Sequence, residues 1–216
     1  MPAASYRTVL AHARATDGFM PDDEGIALFL AARRAVRLGR PLVEIGAYQG
    51  RSTLYIAAAL IDSAAPPPIL YSVDHHRGSE EMQVGWLYHD ASLVDPISGR
   101  MDSLPAWRRN VELAGVERLT TGIVGDSRSL AADWGAALSF LFLDGGHGEE
   151  IAWADYRGWS RHVAPGGLLA IHDVFPDPRD GGRPPFHCYE HALLSGRFVE
   201  EPGAGRNSLK VLRCLR

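Results

Sequence analysis

Cysteine is scarce in this sequence, and long apolar runs are absent. Only two of the 216 residues are cysteines, Cys188 and Cys214, and neither stands in a Cys-x-x-Cys or Cys/His spacing. The sequence therefore predicts neither structural zinc nor a disulfide framework. No stretch approaches the roughly 20 apolar residues that span a bilayer, and the N-terminus has no apolar core behind a basic head. We expect a cytoplasmic protein with no membrane partner.

Clustered positive charge is also absent. Lys and Arg total 22 against 26 Asp and Glu, which gives a net charge of −4, and the basic residues are scattered along the chain. A nucleic acid is therefore not an expected partner. The apolar share of 46% and the charged share of 22% are typical of a globular chain rather than a disordered one. We expect one domain over residues 1–216.

Short apolar runs alternate with helical patterns along most of the chain. The first predicted strand is the short apolar run that ends at Gly46, and the others cover residues 69–73, 119–124, 139–144, 168–171, 198–201 and 209–215. Apolar strands that alternate with helices indicate a parallel sheet with helices on both faces, and a short turn between the last two strands indicates an antiparallel hairpin. The predicted fold class is therefore α/β, a doubly wound, mostly parallel seven-stranded sheet with an antiparallel C-terminal hairpin.

Three segments lie outside this alternation. Helices are expected within residues 1–39, ahead of the first strand. The polar and aromatic insert at 75–103 is typical of a lid or binding loop, and we expect an active-site loop at 174–191. Pro165, Gly166 and Gly167 predict a turn before the fifth strand.

Polar residues follow the predicted strands at the end where such sheets bind ligands. These residues are Glu44, Asp74, Asp126, Asp144 and the pair His172 and Asp173. The glycine loop at 46–50 lies between a strand and a helix but does not match G-x-G-x-x-G. This mismatch disfavours a dinucleotide, although a nucleotide-dependent oxidoreductase stays an alternative at this point.

The string VEIGAYQGRSTLYIA, with Asp74 after the second strand and SFLFLDGGH at the fourth, resembles class I S-adenosylmethionine-dependent methyltransferases over residues 40–215. The resemblance implies a Rossmann-like fold and S-adenosylmethionine as cofactor. The cofactor-binding residues that it implies are Glu44, Gly46, Ala47, Tyr48, Gly50, Ser52, Asp74, Asp126, Ser127 and Asp144.

Several of these implied contacts have a structural alternative. Asp74 is implied to accept both ribose hydroxyls, which two carboxylate oxygens suit, but aspartate is also common in turns at strand ends. Asp126 and Ser127 are implied at the adenine edge, and either could instead cap the following helix. Glu44 is implied near the methionine part of the cofactor.

Within that class the sequence is similar to metal-dependent sugar and catechol-type O-methyltransferases. The likeness implies a divalent cation, Mg²⁺ or Mn²⁺, held by Asp144, His172 and Asp173. His172 departs from the aspartate usual there, and imidazole suits a softer ion better than Mg²⁺. Asp144 and His147 are the implied catalytic residues, with His147 as the base because imidazole titrates near pH 6.5. An ordinary loop residue is the alternative for His147.

The side chains of the insert at 75–103 indicate the chemical class of the methyl acceptor. Its aromatic and charged side chains, among them Trp86 and Tyr88, suit a polyhydroxylated molecule whose C–H faces stack on rings. We therefore expect a small carbohydrate acceptor, with a catechol-type or other small molecule as the alternative. A metal-independent enzyme and a binding module that has lost its chemistry are further alternatives. The helices within residues 1–39 favour a symmetric homodimer.

Overall fold

The structure is a computed structural model that describes residues 5–62 and 68–216. Mostly apolar sequences form the two central strands, β1 (Leu42–Ile45) and β4 (Leu138–Leu143), in which every residue is buried, including the polar Glu44 and Ser139. Strands that are covered on both faces are apolar at nearly every position. The other strands are β2 (Leu70–Asp74), β3 (Thr120–Val124), β5 (Val163–Ile171), β6 (Phe198–Glu200) and β7 (Lys210–Cys214).

The strands form one sheet in the order β3-β2-β1-β4-β5-β7-β6. The first five strands of this order are parallel, and β7 pairs antiparallel with both β5 and β6. The predicted fold class is confirmed. The strand order reverses between β1 and β4, and open α/β sheets bind ligands beyond such a point.

Helices cover both faces of this sheet. The helices are α1 (Tyr6–Ala15), α2 (Asp22–Ala35), α3 (Arg51–Ile61), α4 (Leu104–Leu113), α5 (Ser127–Asp133), α6 (Glu149–Ser160) and α7 (Pro184–Leu194). Side chains of β4 alternate between the faces: Phe140 and Phe142 pack with α1 to α4, and Leu141 packs with α5 to α7. None of the helices in the described ranges is long and apolar enough to cross a bilayer.

Two predicted boundaries are wrong. The predicted turn at Pro165–Gly167 lies inside β5, which begins at Val163. The pairing of β5 with β4 shifts register there: Leu138 pairs with Val163, but Phe140 pairs with Leu168, so β5 has more residues than β4 between these two pairs. The loop predicted at 174–191 is shorter than expected and ends at Arg183. Helix α7 already begins at Pro184, with two prolines in its first turn. Proline lacks the N–H that the first helical turn leaves unpaired, so it is tolerated there.

The insert at 75–103 has little regular structure. It contains two short 3₁₀ turns, Glu80–Met82 and Ala91–Leu93, and one isolated bridge between Val94 and Met101. Several of its residues, Tyr88 among them, line the cavity described below.

Candidate active site

A cavity of about 790 Å³ opens beyond the carboxyl ends of β1 to β5. This volume is typical of a site for a cofactor together with a small substrate. The structure brings most of the predicted site residues to its lining: Gly46, Ala47, Tyr48, Ser52, Asp74, Asp126, Ser127, Asp144, His147, His172 and Asp173. Glu44 and Gly50 do not line it.

The glycine loop after β1 packs directly on the end of β4. Gly46 has φ +85°, and a Cβ there would lie 2.1 Å from the carbonyl oxygen of Asp144. Both the left-handed backbone and the close approach require glycine. Gly50, with φ +97°, precedes α3 and faces the indole of Trp107 rather than the cavity.

Asp74 fastens this loop to the end of β2. Its Oδ2 accepts hydrogen bonds from the backbone N–H groups of Ala47 and Tyr48, at 2.8 and 2.9 Å, and its Oδ1 accepts from the N–H of His76 at 2.7 Å. A carboxylate has about four acceptor positions, so one is left after these three bonds. The predicted turn role is observed, and Asp74 also faces the cavity.

Glu44 lies beneath the loop, in the core. The side chain is fully buried and accepts hydrogen bonds from three hydroxyls, those of Ser52, Thr53 and Ser72. Burial raises the pKa of Glu44 to about 7, and the three hydroxyls offset part of that effect. Glu44 therefore does not occupy the predicted place at the cofactor, and it reaches the cavity only through Ser52.

Asp126 and Ser127 occupy the start of α5, where either was expected as a helix cap. Asp126 is the N-cap, and its Oδ1 accepts from the N–H of Arg128 at 3.2 Å. Ser127 donates its hydroxyl proton to Asp155 of α6. Burial raises the pKa of Asp155 to about 6, and this acid also lines the cavity. Sequence reasoning missed Asp155, although it stands beside the aromatic Tyr156 on the buried face of its helix.

Three potential metal ligands meet at the ends of β4 and β5. One ligand atom each from Asp144, His147 and Asp173 lies within 4.8 Å of the others. His147 Nε2 is 2.9 Å from Asp173 Oδ2. Burial lowers the pKa of His147, but the bond to Asp173 and its charge outweigh burial and raise the pKa to about 9. Burial raises the pKa of Asp173, but the two imidazoles hold it well below its usual range.

This donor set fits a divalent cation. Two carboxylates and one imidazole form a mixed oxygen and nitrogen set, which suits Mn²⁺ better than Mg²⁺, because Mg²⁺ prefers oxygen. The residues that could hold the ion are Asp144, His147 and Asp173.

His172 is not free to act as the ligand that the sequence predicts. Its Nε2 lies 2.6 Å from Glu24 Oε2 and its Nδ1 lies 3.0 Å from Asp144 Oδ1. Both ring nitrogens are engaged, so the structure leaves neither for a cation. Burial lowers the pKa of His172, but these carboxylates outweigh it and raise the pKa. Sequence reasoning missed Glu24, which no local pattern links to the site.

Aromatic rings from three chain segments meet at the mouth of the cavity. Phe19 lies between α1 and α2, Tyr48 in the glycine loop and Tyr88 in the insert, and all three line the cavity. The ring centroid of Phe19 is 5.3 Å from that of Tyr48 and 5.1 Å from that of Tyr88. Phe19 and Tyr88 are 53% and 46% exposed, so their faces are accessible. Phe19 was not predicted, because a lone aromatic before a helix carries no signal.

Comparison with known proteins gives one family and a set of similar folds. A family model described as "Methyltransferase domain" matches residues 43–174. The O-methyltransferase TomG from Streptomyces achromogenes, solved with SAM, is 18% identical with a TM-score of 0.60, over 98% of this chain and 89% of that one. The Bacillus cereus O-methyltransferase solved with SAH is 15% identical with a TM-score of 0.59, over 98% and 90%.

A third solved structure is similar at the same level. The SAH-bound methyltransferase PaMTH1 from Podospora anserina is 13% identical with a TM-score of 0.64, over 97% of this chain and 88% of that one. At these identities the three structures establish a common fold.

Proposed function

The chain belongs to the methyltransferase-domain family, and we propose that it is an S-adenosylmethionine-dependent O-methyltransferase for a small polyhydroxylated acceptor, in first place a sugar. One observation carries the proposal. The glycine loop and Asp74 share a single cavity with the cluster of Asp144, His147 and Asp173. Membership of the family counts against the oxidoreductase alternative.

The cofactor part of the proposal rests on the loops after β1, β2 and β3. S-adenosylmethionine supplies an electrophilic methyl group when it is bound. Gly46 to Tyr48 would contact it through backbone, Asp74 would use its remaining acceptor position for one ribose hydroxyl, and Asp126 and Ser127 would face the adenine. The three similar structures described above were solved with SAM or SAH, which supports the same ligand here.

The metal part rests on the three-residue cluster. A divalent cation held by Asp144 and Asp173 would supply positive charge that makes a nearby hydroxyl more acidic and would leave the imidazole of His147 able to accept a proton. A methyl transfer to oxygen also requires a group that removes the hydroxyl proton, and His147 is our candidate. The imidazole must be neutral to accept that proton. A cation bound at Asp173 would offset the negative charge of this carboxylate. The interaction that favours the protonated form of His147 would then be weaker.

The two proposed roles of His147 differ in what its removal does. If His147 is the base alone, His147→Ala lowers turnover by about 10²- to 10⁴-fold and Mn²⁺ still binds. If it is instead a ligand, Mn²⁺ affinity falls together with turnover, and another group takes the proton. Isothermal titration with Mn²⁺ and a turnover assay on the same preparation separate the roles. Unchanged turnover would make His147 an ordinary loop residue.

The acceptor part rests on the mouth of the cavity. The exposed faces of Phe19 and Tyr88 can stack on the C–H face of a sugar ring. Glu80, Glu81 and Asp180 line the same cavity and offer acceptors to hydroxyl groups. These carboxylates also disfavour an anionic acceptor. A catechol would use the same rings, so it stays the second candidate.

Calorimetric titration tests the cofactor assignment first. We expect micromolar binding of S-adenosylmethionine and no binding of NADH. A tritiated-methyl transfer assay with neutral sugars and catechols, each with Mn²⁺ or EDTA, then tests acceptor and metal. No detectable binding of S-adenosylmethionine together with binding of NADH would overturn the proposal.

Three further predictions from the sequence stand beside this proposal. They are a single domain over residues 1–216, a cytoplasmic location and a homodimer formed through the helices within residues 1–39. Light scattering coupled to size-exclusion chromatography tests the dimer.

A further inference from the structure

We propose that Glu24 is a positioning residue of the active site, which acts through His172 to orient the carboxylate of Asp144. The inference rests on the proposed function, because it assigns Asp144 to the metal site. Glu24 lies in the first turn of α2, ahead of residues 43–174 that the family model matches. A residue from the N-terminal helices would thus complete a site that is otherwise built from the strand ends.

The contact between Glu24 and the site is direct and buried. His172 Nε2 lies 2.6 Å from Glu24 Oε2, and the two side chains are 4% and 3% exposed. The other ring nitrogen of His172 lies 3.0 Å from Asp144 Oδ1 and 3.4 Å from Asp173 Oδ1. Both ring nitrogens therefore face carboxylate oxygens, which accept only. The orientation of the imidazole is therefore fixed from both sides.

Glu24 is itself fixed from a third direction. Its Oε1 accepts from the backbone N–H of Ser208 at 2.8 Å and from the Ser208 hydroxyl at 3.0 Å. Ser208 lies just before β7. The neighbouring Asp23 binds Arg206 and Asn207 in the same turn. The β6–β7 connection thus holds the start of α2 at the edge of the active site. The position of Glu24 is set by its contacts with Ser208 on one side and His172 on the other.

The physical reason for this arrangement is charge. A buried carboxylate or imidazolium is costly unless it is paired and hydrogen-bonded. Glu24 holds the Nε2 side of the His172 ring, and the Nδ1 side then lies against one oxygen of Asp144. Within the described residues no hydrogen bond reaches the other oxygen of Asp144, which leaves that oxygen for a ligand. Without the Glu24 side chain, nothing fixes the ring at Nε2, and the orientation of Asp144 is no longer held through it.

Truncation of the side chain tests this role. In Glu24→Ala we expect Mn²⁺ affinity to fall by about 10- to 100-fold, the range seen when partners of metal ligands are removed. The kcat should fall while the KM for S-adenosylmethionine stays unchanged, because the cofactor loops are untouched. Glu112→Ala is the control: this exposed acid of α4 lies outside the cavity lining and should leave Mn²⁺ affinity and kcat as they are.

A double-mutant cycle separates this role from general destabilisation. If Glu24 acts through His172, the double variant Glu24→Ala with His172→Asn should bind Mn²⁺ no more weakly than His172→Asn alone. Losses that multiply would overturn the proposal. So would a Glu24→Ala protein that binds Mn²⁺ as tightly as the wild type.

A more conservative variant covers the case in which Glu24→Ala fails to fold. Glu24→Asp keeps the charge but shortens the side chain by one methylene, so the contact with His172 Nε2 is lost and Mn²⁺ affinity should fall. A Glu24→Asp protein that keeps its fold and the wild-type Mn²⁺ affinity would overturn the bridge. The two proposals can fail separately: a wild type that binds no Mn²⁺ overturns the metal assignment and this inference together, whereas Mn²⁺ binding that is indifferent to Glu24 overturns only the inference.

Discussion

At the scale of single residues, four acids of this chain have different roles because their surroundings differ. Glu44 is buried among hydroxyls, Asp74 accepts from backbone N–H groups, Asp155 is buried beside one serine, and Asp173 pairs with imidazoles. Burial raises the pKa of Glu44 and Asp155, while hydrogen-bonded imidazoles lower that of Asp173 despite its burial. Residue type alone therefore does not assign a role.

The raised pKa of Glu44 predicts a stability that depends on pH. The pKa is about 7 in the folded protein, above the ordinary value of 4.5, so the folded state binds the extra proton between these values. The contribution of Glu44 to stability is then largest below pH 4.5, falls as pH rises from 4.5 to about 7 and is lost above that. The neighbouring negative charge is Asp144, which adds to the shift.

Urea unfolding at pH 5 and pH 8 measures this effect. Relative to Glu44→Gln, the wild type should lose on the order of 3 kcal/mol of unfolding free energy between these pH values. The exposed Glu112→Gln is the control and should follow the wild type. Parallel curves for the wild type and Glu44→Gln would contradict the prediction.

Asp74→Asn should weaken S-adenosylmethionine binding. An amide keeps one acceptor oxygen, so either the loop N–H groups or the ribose lose a partner, at about 1–3 kcal/mol. That corresponds to roughly 5- to 150-fold in Kd, measured by calorimetry. Asp95→Asn is a matched control, because Asp95 also accepts a backbone N–H, from Ile97, but lies outside the cavity lining. Equal affinity of the Asp74 variant and the wild type would remove Asp74 from the cofactor site.

At the scale of elements, the site depends on how closely the loop after β1 approaches the end of β4. Gly46 makes that approach, and the loop then passes Asp74 at the end of β2. The three strands are neighbours in the sheet, in the order β2-β1-β4. Parallel pairing brings their carboxyl ends to one edge, and this is why residues far apart in the sequence share one cavity.

Two glycines with similar backbones test the close approach. Gly46 and Gly39 both have positive φ, +85° and +68°, but a Cβ at Gly39 meets nothing within 4 Å. Gly39→Ala should cost about 1–2 kcal/mol of stability from backbone strain alone. Gly46→Ala should cost more and should also abolish S-adenosylmethionine binding, because the loop must move away from Asp144. Unfolding curves and calorimetry on both variants check this, and equal losses would argue against the steric account.

At the scale of the whole molecule, segments from both ends of the chain line the cavity. Gly18 to Met20 come from the N-terminal region, and Pro185 comes from the start of α7. Ligands that bind here should therefore stabilise the whole fold. At 100 times its Kd, a ligand that binds only the folded state adds about 2.7 kcal/mol.

Thermal unfolding with Mn²⁺ tests the metal site at this scale. Mn²⁺ should raise the Tm of the wild type, and EDTA should reverse the increase. Asp173→Asn should lose the Mn²⁺ effect but keep the rise caused by S-adenosylhomocysteine. The exposed Asp177→Asn, which only loses a pair with Arg179, should keep both. A full Mn²⁺ response in Asp173→Asn would remove Asp173 from the metal site.

The sequence by itself determined the strands, the alternation with helices and the edge at which polar side chains collect. Those features depend on local periodicity and on residues next in sequence, such as Asp144 after its apolar strand. Only the tertiary structure decided what the two histidines contact. His147 meets Asp173, whereas His172 is engaged by Glu24, 148 residues away. No local pattern encodes that partner, because a hydrogen bond between distant residues exists only after two elements pack together, and burial then decides which charges must be paired.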